Sequence, residues 1–223
     1  MSASYFDSAL DDAVRRMGQT QGLTVDEYER SEHQSGQDVD AALQELMSVS
    51  PNTPPDTAGA HLLQAERVYV RWHRDDYYLD GEFALKSLHS CLSGNYVTFE
   101  DSRLAEDQRE VMRDLKIFEE APGSGRMTGI RFQAGGTSES EIWFYDMNQL
   151  KLESLDIDYT TYLDTLLATG GVAGWQYLFA DLDFRNDAFR GIAKDLGEML
   201  SYFRQVFPDR DYEPLLHRLE ARL

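Results

Sequence analysis

The stretch from Met127 to Phe179 constrains the fold more than any other part of this chain. Ile130 and Phe132, then Ile142, Phe144 and Tyr145, predict two strands around the glycine pair Gly135-Gly136. Leu150, Leu152 and Leu155 alternate in a third short strand. Asp158 then stands where an N-cap belongs, ahead of a helix from Tyr159 to Ala168 that buries Tyr162, Leu163, Leu166 and Leu167. Gly170-Gly171 ends that helix, and an aromatic loop, Trp175 to Phe179, follows. A sheet closed by a helix in this order predicts an α+β fold, with a mixed, mainly antiparallel sheet flanked by helices.

The flanking sequence adds helices at both ends. Phe6, Leu10, Ala13, Val14 and Met17 recur at helical spacing between Tyr5 and Gly18. Leu23 to Gln37 is polar and reads as loop, exposed over Ser31 to Gly36, and a second helix is predicted from Asp38 to Met47. Pro51 to Pro55 breaks regular structure and is the candidate linker. Val68, Val70 and Trp72 alternate with Tyr69, Arg71 and His73 as a half-buried strand does, with Arg74 to Asp76 as its turn and an extended piece from Tyr77. A short helix is predicted from Phe83 to Leu92, a strand from Tyr96 to Phe99, and a charged helix from Leu104 to Phe118. Beyond Gly174, Phe189, Ile192, Leu196, Met199, Leu200 and Phe203 form one long apolar stripe. Pro208 stops that helix, and Tyr212, Leu215, Leu216 and Leu219 mark a last one. The expected organisation is one domain over 1–223. It comprises N-terminal helices and loop in 1–60, the sheet and helix unit in 61–170, and a helical C-terminal extension in 171–223.

The chain carries 40 Asp and Glu against 21 Lys and Arg, a formal charge of −19. Such a surface disfavours direct contact with nucleic acid, which is bound by neutralising phosphates with Lys and Arg. It disfavours anionic membranes for the same reason. It favours a basic protein partner, because complementary fields accelerate encounter. Charge alone also serves solubility, and both readings stand at this point. Cys91 is the single cysteine, so no intramolecular disulfide forms and a thiolate cluster is excluded. The N-terminus has no apolar signal region and no stretch approaches ~18 uninterrupted apolar residues, so a cytoplasmic location is expected.

Catalytic signatures are missing from the sequence. It holds no GxxxxGK[ST], no GxGxxG after a strand and no GxSxG, and its glycine pieces, Gly123-Ser124-Gly125 and Gly135-Gly136, read as hairpin turns. His73 with Asp75 and Asp76 is the nearest approach to a metal site, but zinc asks for three or four convergent ligands. His33, His61, His89 and His217 are scattered. Cys91 reads as a buried cysteine rather than a nucleophile, since His89 two residues away on a helix points elsewhere. Carboxylates are too many to single out an acid–base pair. No enzyme activity, metal or cofactor is expected.

From Ile130 to Leu167 the IRF strand, the glycine turn, the EIWFYDM strand, the short apolar strand and the YxxYLDxLL helix together resemble the SUKH superfamily, the Smi/Knr-like group of bacterial immunity proteins and fungal cell-wall regulators. The resemblance covers roughly forty residues and rests on hydrophobic patterning. It implies a protein that binds and neutralises a toxin, many of these toxins being nucleases. The alternative it leaves is an intracellular regulatory scaffold without a toxin partner. A small hydrolase using the acidic residues is the third. An acidic inhibitor can fill a basic cleft as a phosphate mimic. The acidic concentration at Glu139, Glu141, Asp146, Glu153, Asp156, Asp158 and Asp164, with Lys151 among them, is continued by Asp181 and Asp183. Taken with Trp175 and Tyr177, it marks Glu141, Asp146, Asp156, Asp158, Asp164, Trp175, Tyr177 and Asp181 as the expected partner-binding residues. Trp175 to Phe179 equally suits a core that holds the C-terminal helices on the sheet. The stripe from Phe189 to Phe203 has apolar surface enough to cover the sheet or to pair two copies into a homodimer.

Overall fold

A computed structural model describes residues 5–31, 44, 63, 65–76, 78–93, 100–132 and 140–223. The fold is α+β. One seven-stranded antiparallel sheet runs in sequence order: β1 (Leu23–Arg30), β2 (Arg67–Arg74), β3 (Asp80–Lys86), β4 (Lys116–Ala121), β5 (Arg126–Phe132), β6 (Ser140–Asp146) and β7 (Lys151–Leu155). Six α-helices accompany it among the described residues: α1 (Tyr5–Gln19), α2 (Leu88–Ser93), α3 (Glu106–Asp114), α4 (Tyr159–Thr169), α5 (Asp187–Val206) and α6 (Glu213–Glu220). A 3-10 turn, Trp175–Leu178, lies between α4 and α5.

The sheet buries one face under α1, α4, α5 and α6. Val68, Val70 and Trp72 of β2 are fully buried in that core, as period-two alternation requires. The α5 stripe (Phe189, Leu196, Met199, Leu200, Phe203) packs into the same core, and Phe203 meets the Trp72 ring at 5.5 Å between centroids. Each such side chain contributes about 1.5–3 kcal/mol by leaving water. That is why α5 docks despite the polar residues on its other side. A second, smaller core on the opposite face gathers Leu104, Met112, Leu115, Tyr145 and Leu152 beneath α3.

Helix α4 begins where Asp158 accepts a hydrogen bond from the Thr161 backbone N–H at 2.7 Å, and it stops at Gly170, whose φ of 61° is left-handed. Its buried side carries Tyr162, edge-on to Phe118 at 5.0 Å and tilted on Trp175 at 4.7 Å. Beside this aromatic cluster sits a buried carboxyl. Glu119 of β4, 1% exposed, accepts from Thr128 Oγ1 and Tyr162 Oη, each at 3.1 Å. Gln176 also reaches the pair, donating to Tyr162 Oη at 3.3 Å.

The structure corrects several boundaries. Leu23–Arg30 is the edge strand β1, where the sequence reads as polar loop: Leu23 alone is buried, and the remaining side chains face water or the sheet's open side. The predicted helix from Phe83 is strand through Lys86 and helical only from Leu88, and the charged helix ends at Asp114, so Lys116 to Phe118 belong to β4. The sheet is antiparallel throughout. The predicted helix from Asp38 to Met47, the loop at Ser31 to Gly36 beyond Ser31, the Pro51 to Pro55 linker, the Tyr96 to Phe99 strand, Gly135-Gly136 and Glu139 lie outside the described residues, save Gln44.

Candidate functional site

The expected partner-binding residues separate into two groups. Asp146 is fully buried and holds the β6–β7 turn: it accepts from the Asn148 N–H at 2.8 Å, from Arg126 Nε at 2.9 Å and from Tyr177 Oη at 3.2 Å. Trp175, 1% exposed, and Tyr177, fully buried, fill the core between α4 and α5. The aromatic hot spot read from the sequence is therefore interior packing, and burial pushes the Tyr177 hydroxyl far above its ordinary pKa.

Glu141, Asp156 and Asp181 do converge. They border one depression of about 480 Å³ at the β6–β7 edge, with Ser154, Phe179 and Arg222. Chain geometry brings them together: Leu155 bridges Ala180, and the Asp156 N–H donates to the Phe179 carbonyl at 2.8 Å. Asp156 is 87% exposed and meets Arg218 Nη2 at 3.4 Å. Asp181 has no ion pair or hydrogen bond among the described residues. Glu153 next to them has its carboxyl raised, chiefly by burial, with Lys151 opposing and Asp181 adding to the shift. Asp158 is occupied as the α4 cap, and Asp164 is exposed further along that helix.

A second concavity, about 340 Å³, was not legible in the sequence. It exists because the sheet splits. β3 pairs with β2 along its whole length, yet with β4 only through Ala84 opposite Glu120 and Leu85 opposite Glu119. Past those pairs the strands part, and the loop after α4 enters the gap. Val172 bridges Gly81, and the Glu82 N–H donates to the Gly171 carbonyl at 3.2 Å. Only glycine admits this approach: a Cβ on Gly81 would lie 2.4 Å from Trp72 Nε1 and 2.5 Å from the Gly170 carbonyl oxygen. The same Trp72 Nε1 donates to Gly170 O at 2.7 Å.

One wall of the cleft is β2–β3, with Arg71, His73, Asp80 and Glu82. The other is the β4–β5 turn, with Gly123, Ser124 and Arg126. Glu82 ties the walls together, accepting from Tyr69 Oη at 2.8 Å and from the Gly123 N–H at 2.7 Å. A bulge in β1 between Val25 and Glu27 brings Asp26 to the rim, where it lies 2.9 Å from His73 Nδ1. The histidine and aspartates weighed as metal ligands thus diverge: His73 meets Asp26, Asp75 accepts from Thr24 Oγ1 at 3.1 Å, and Asp76 from Arg74 Nε at 2.7 Å. No group of three His, Cys, Asp or Glu is placed to hold a metal ion among the described residues. Cys91 is buried. No helix among the described residues is long and apolar enough to cross a membrane.

The signals that could have found the cleft were glycines: Gly81 inside a strand pattern, Gly123 in a turn, and Gly170-Gly171 beyond what a helix stop needs. Comparison of the chain with protein-family models, with curated proteins and with solved structures found no match.

Proposed function

We propose that this protein is a binding protein of the immunity or antitoxin kind, which engages and neutralises a cationic protein toxin in the cytoplasm through the acidic β6–β7 edge. The convergence of Glu141, Asp156 and Asp181 on one open depression carries the reading. In a chain of net charge −19, an exposed carboxylate such as Asp181 that no neighbouring cation neutralises is a ready partner for Arg or Lys on another molecule. A nuclease fits this role, because its substrate cleft is basic and a carboxylate cluster can occupy it as phosphates do. The SUKH resemblance of the Ile130 to Leu167 segment supports the same class. Nucleic acid and membrane are not direct ligands on this reading.

The test is co-expression with the product of the adjacent gene, scored by survival and then by co-purification. Rescue with a stable complex is expected. The reversal E141K/D156K/D181K should then weaken association about tenfold or more, as loss of steering and of charge-assisted bonds demands. An unaltered affinity in that variant would refute the acidic edge as the interface. A neighbour without toxicity, or without a complex, would refute the immunity role and favour a regulatory scaffold.

A further inference from the structure

The cleft at the β3–β4 split has a charge arrangement that the acidic edge does not explain. Most of its ionic groups are already satisfied. Glu82 uses both carboxylate oxygens on Tyr69 and Gly123. Asp26 faces His73, and Arg71 lies 3.4 Å from Glu27. Two groups remain, one on each wall.

Arg126, with a side chain only 15% exposed, commits Nε to Asp146 at 2.9 Å, while its two terminal nitrogens have no hydrogen-bond partner among the described residues. Asp146 is itself fully buried and fixed by two backbone N–H groups and Tyr177, so the guanidinium is held in one orientation with its fork unspent. A fixed guanidinium fork is built for a carboxylate or phosphate. Asp80, on the β3 wall, has neither ion pair nor hydrogen bond through its side chain among the described residues.

We propose that this cleft binds a small zwitterion of amino-acid size, its carboxylate on the Arg126 fork and its ammonium group at Asp80. Size and field both select that class. The cleft's volume of about 340 Å³ lies at the small end of ligand pockets, which begin at about 300 Å³. In a chain of net charge −19, a bare anion entering the cleft is repelled by the surrounding carboxylates, whereas a molecule of zero net charge is not. Glu82 acts as a positioning residue, since its two hydrogen bonds set the separation of the walls.

The experiment is titration of the full chain with the twenty free amino acids, followed by calorimetry and by amide chemical shifts. Acetate and methylammonium serve as single-charge probes. At least one amino acid should bind saturably, with shifts centred on Gly81, Gly123 and Arg126. Asp80→Asn, an exposed change that breaks no contact, should weaken that amino acid about 10–100-fold and leave acetate unaffected. Arg126→Lys should weaken both, provided its unfolding midpoint matches the native chain; should it not fold, Asp80→Asn decides alone. The proposal is overturned if no amino acid binds below about 10 mM, if acetate binds as tightly as the best amino acid, or if Asp80→Asn changes nothing.

Discussion

Replacing Glu119 with glutamine tests how the interior of this sheet treats a charge. The carboxyl is completely enclosed, and burial pushes its pKa up from 4.5 to about 7, against the opposing pull of hydrogen bonds from Tyr162 and Thr128. The folded chain therefore holds this proton more tightly than the unfolded chain. Below pH 4.5 both states are protonated and the linkage stabilises fully. As pH rises towards 7 the unfolded state gives up the proton first, and the stabilisation is lost until the folded carboxyl also ionises. The interval from 4.5 to about 7 corresponds to about 3 kcal/mol, at 1.36 kcal/mol per unit. Other carboxylates titrate over the same range, so the quantity to measure is the difference between native and E119Q chains in urea unfolding at stepped pH. That difference should move in favour of E119Q by about 3 kcal/mol between pH 4.5 and 7.5, then level off. A lost or gained amide hydrogen bond shifts the whole curve without tilting it. A difference that stays flat across this range would show that Glu119 is ionised in the fold, with solvent or a counter-charge reaching it.

Two further substitutions probe the elements that place the sites. Gly81→Ala drives a methyl group against the Trp72 indole and the Gly170 carbonyl, and should cost about 1–3 kcal/mol in chemical denaturation. A neutral result would mean that the loop after α4 does not lie on β3. Asp158→Ala removes the α4 cap and should cost about 1 kcal/mol, with Asp158→Asn close to native; equal losses in both would assign the effect to charge rather than capping.

The parts of this fold that were legible in the sequence are those whose burial is one-sided. In α1, α4 and α5 the apolar residues fall on a single stripe, and in β2 on alternate positions, so periodicity reports them directly. Where both faces are covered the signal disappears. Phe83, Ala84 and Leu85 are all buried, and that unbroken run reads as helix although it is strand. In β4 a bulge between Ile117 and Glu119 places Phe118 and Glu119 in the interior together, one of them a carboxylate that composition assigns to the surface. β1 fails for the opposite reason: with acidic side chains along an edge it has almost nothing apolar to alternate. For the expected site, Glu141, Asp156 and Asp181 did gather, while Trp175 and Tyr177 went to the core, since sequence cannot tell an aromatic on display from one at the centre. The cleft depends on where two strands part company, which no local pattern records.

The sequential order of the strands bears on how the chain finds this structure. β2 and β3, β4 and β5, and β6 and β7 are each joined by a short turn, so their pairing closes small loops and costs little entropy. β1 reaches β2 only through the whole run from Ser31 to Glu66, and each doubling of a loop adds about 0.6 kcal/mol to the cost of closure. The hairpins are thus expected to form early and the α1–β1 arm to dock last. In pulse-labelling hydrogen exchange during refolding, amides of β5 and β6 should gain protection before those of β1; simultaneous protection would mean that the sheet condenses as a unit. An arm that arrives last also brings Asp26 last, so the rim of the cleft is completed only when the rest of the molecule has already folded.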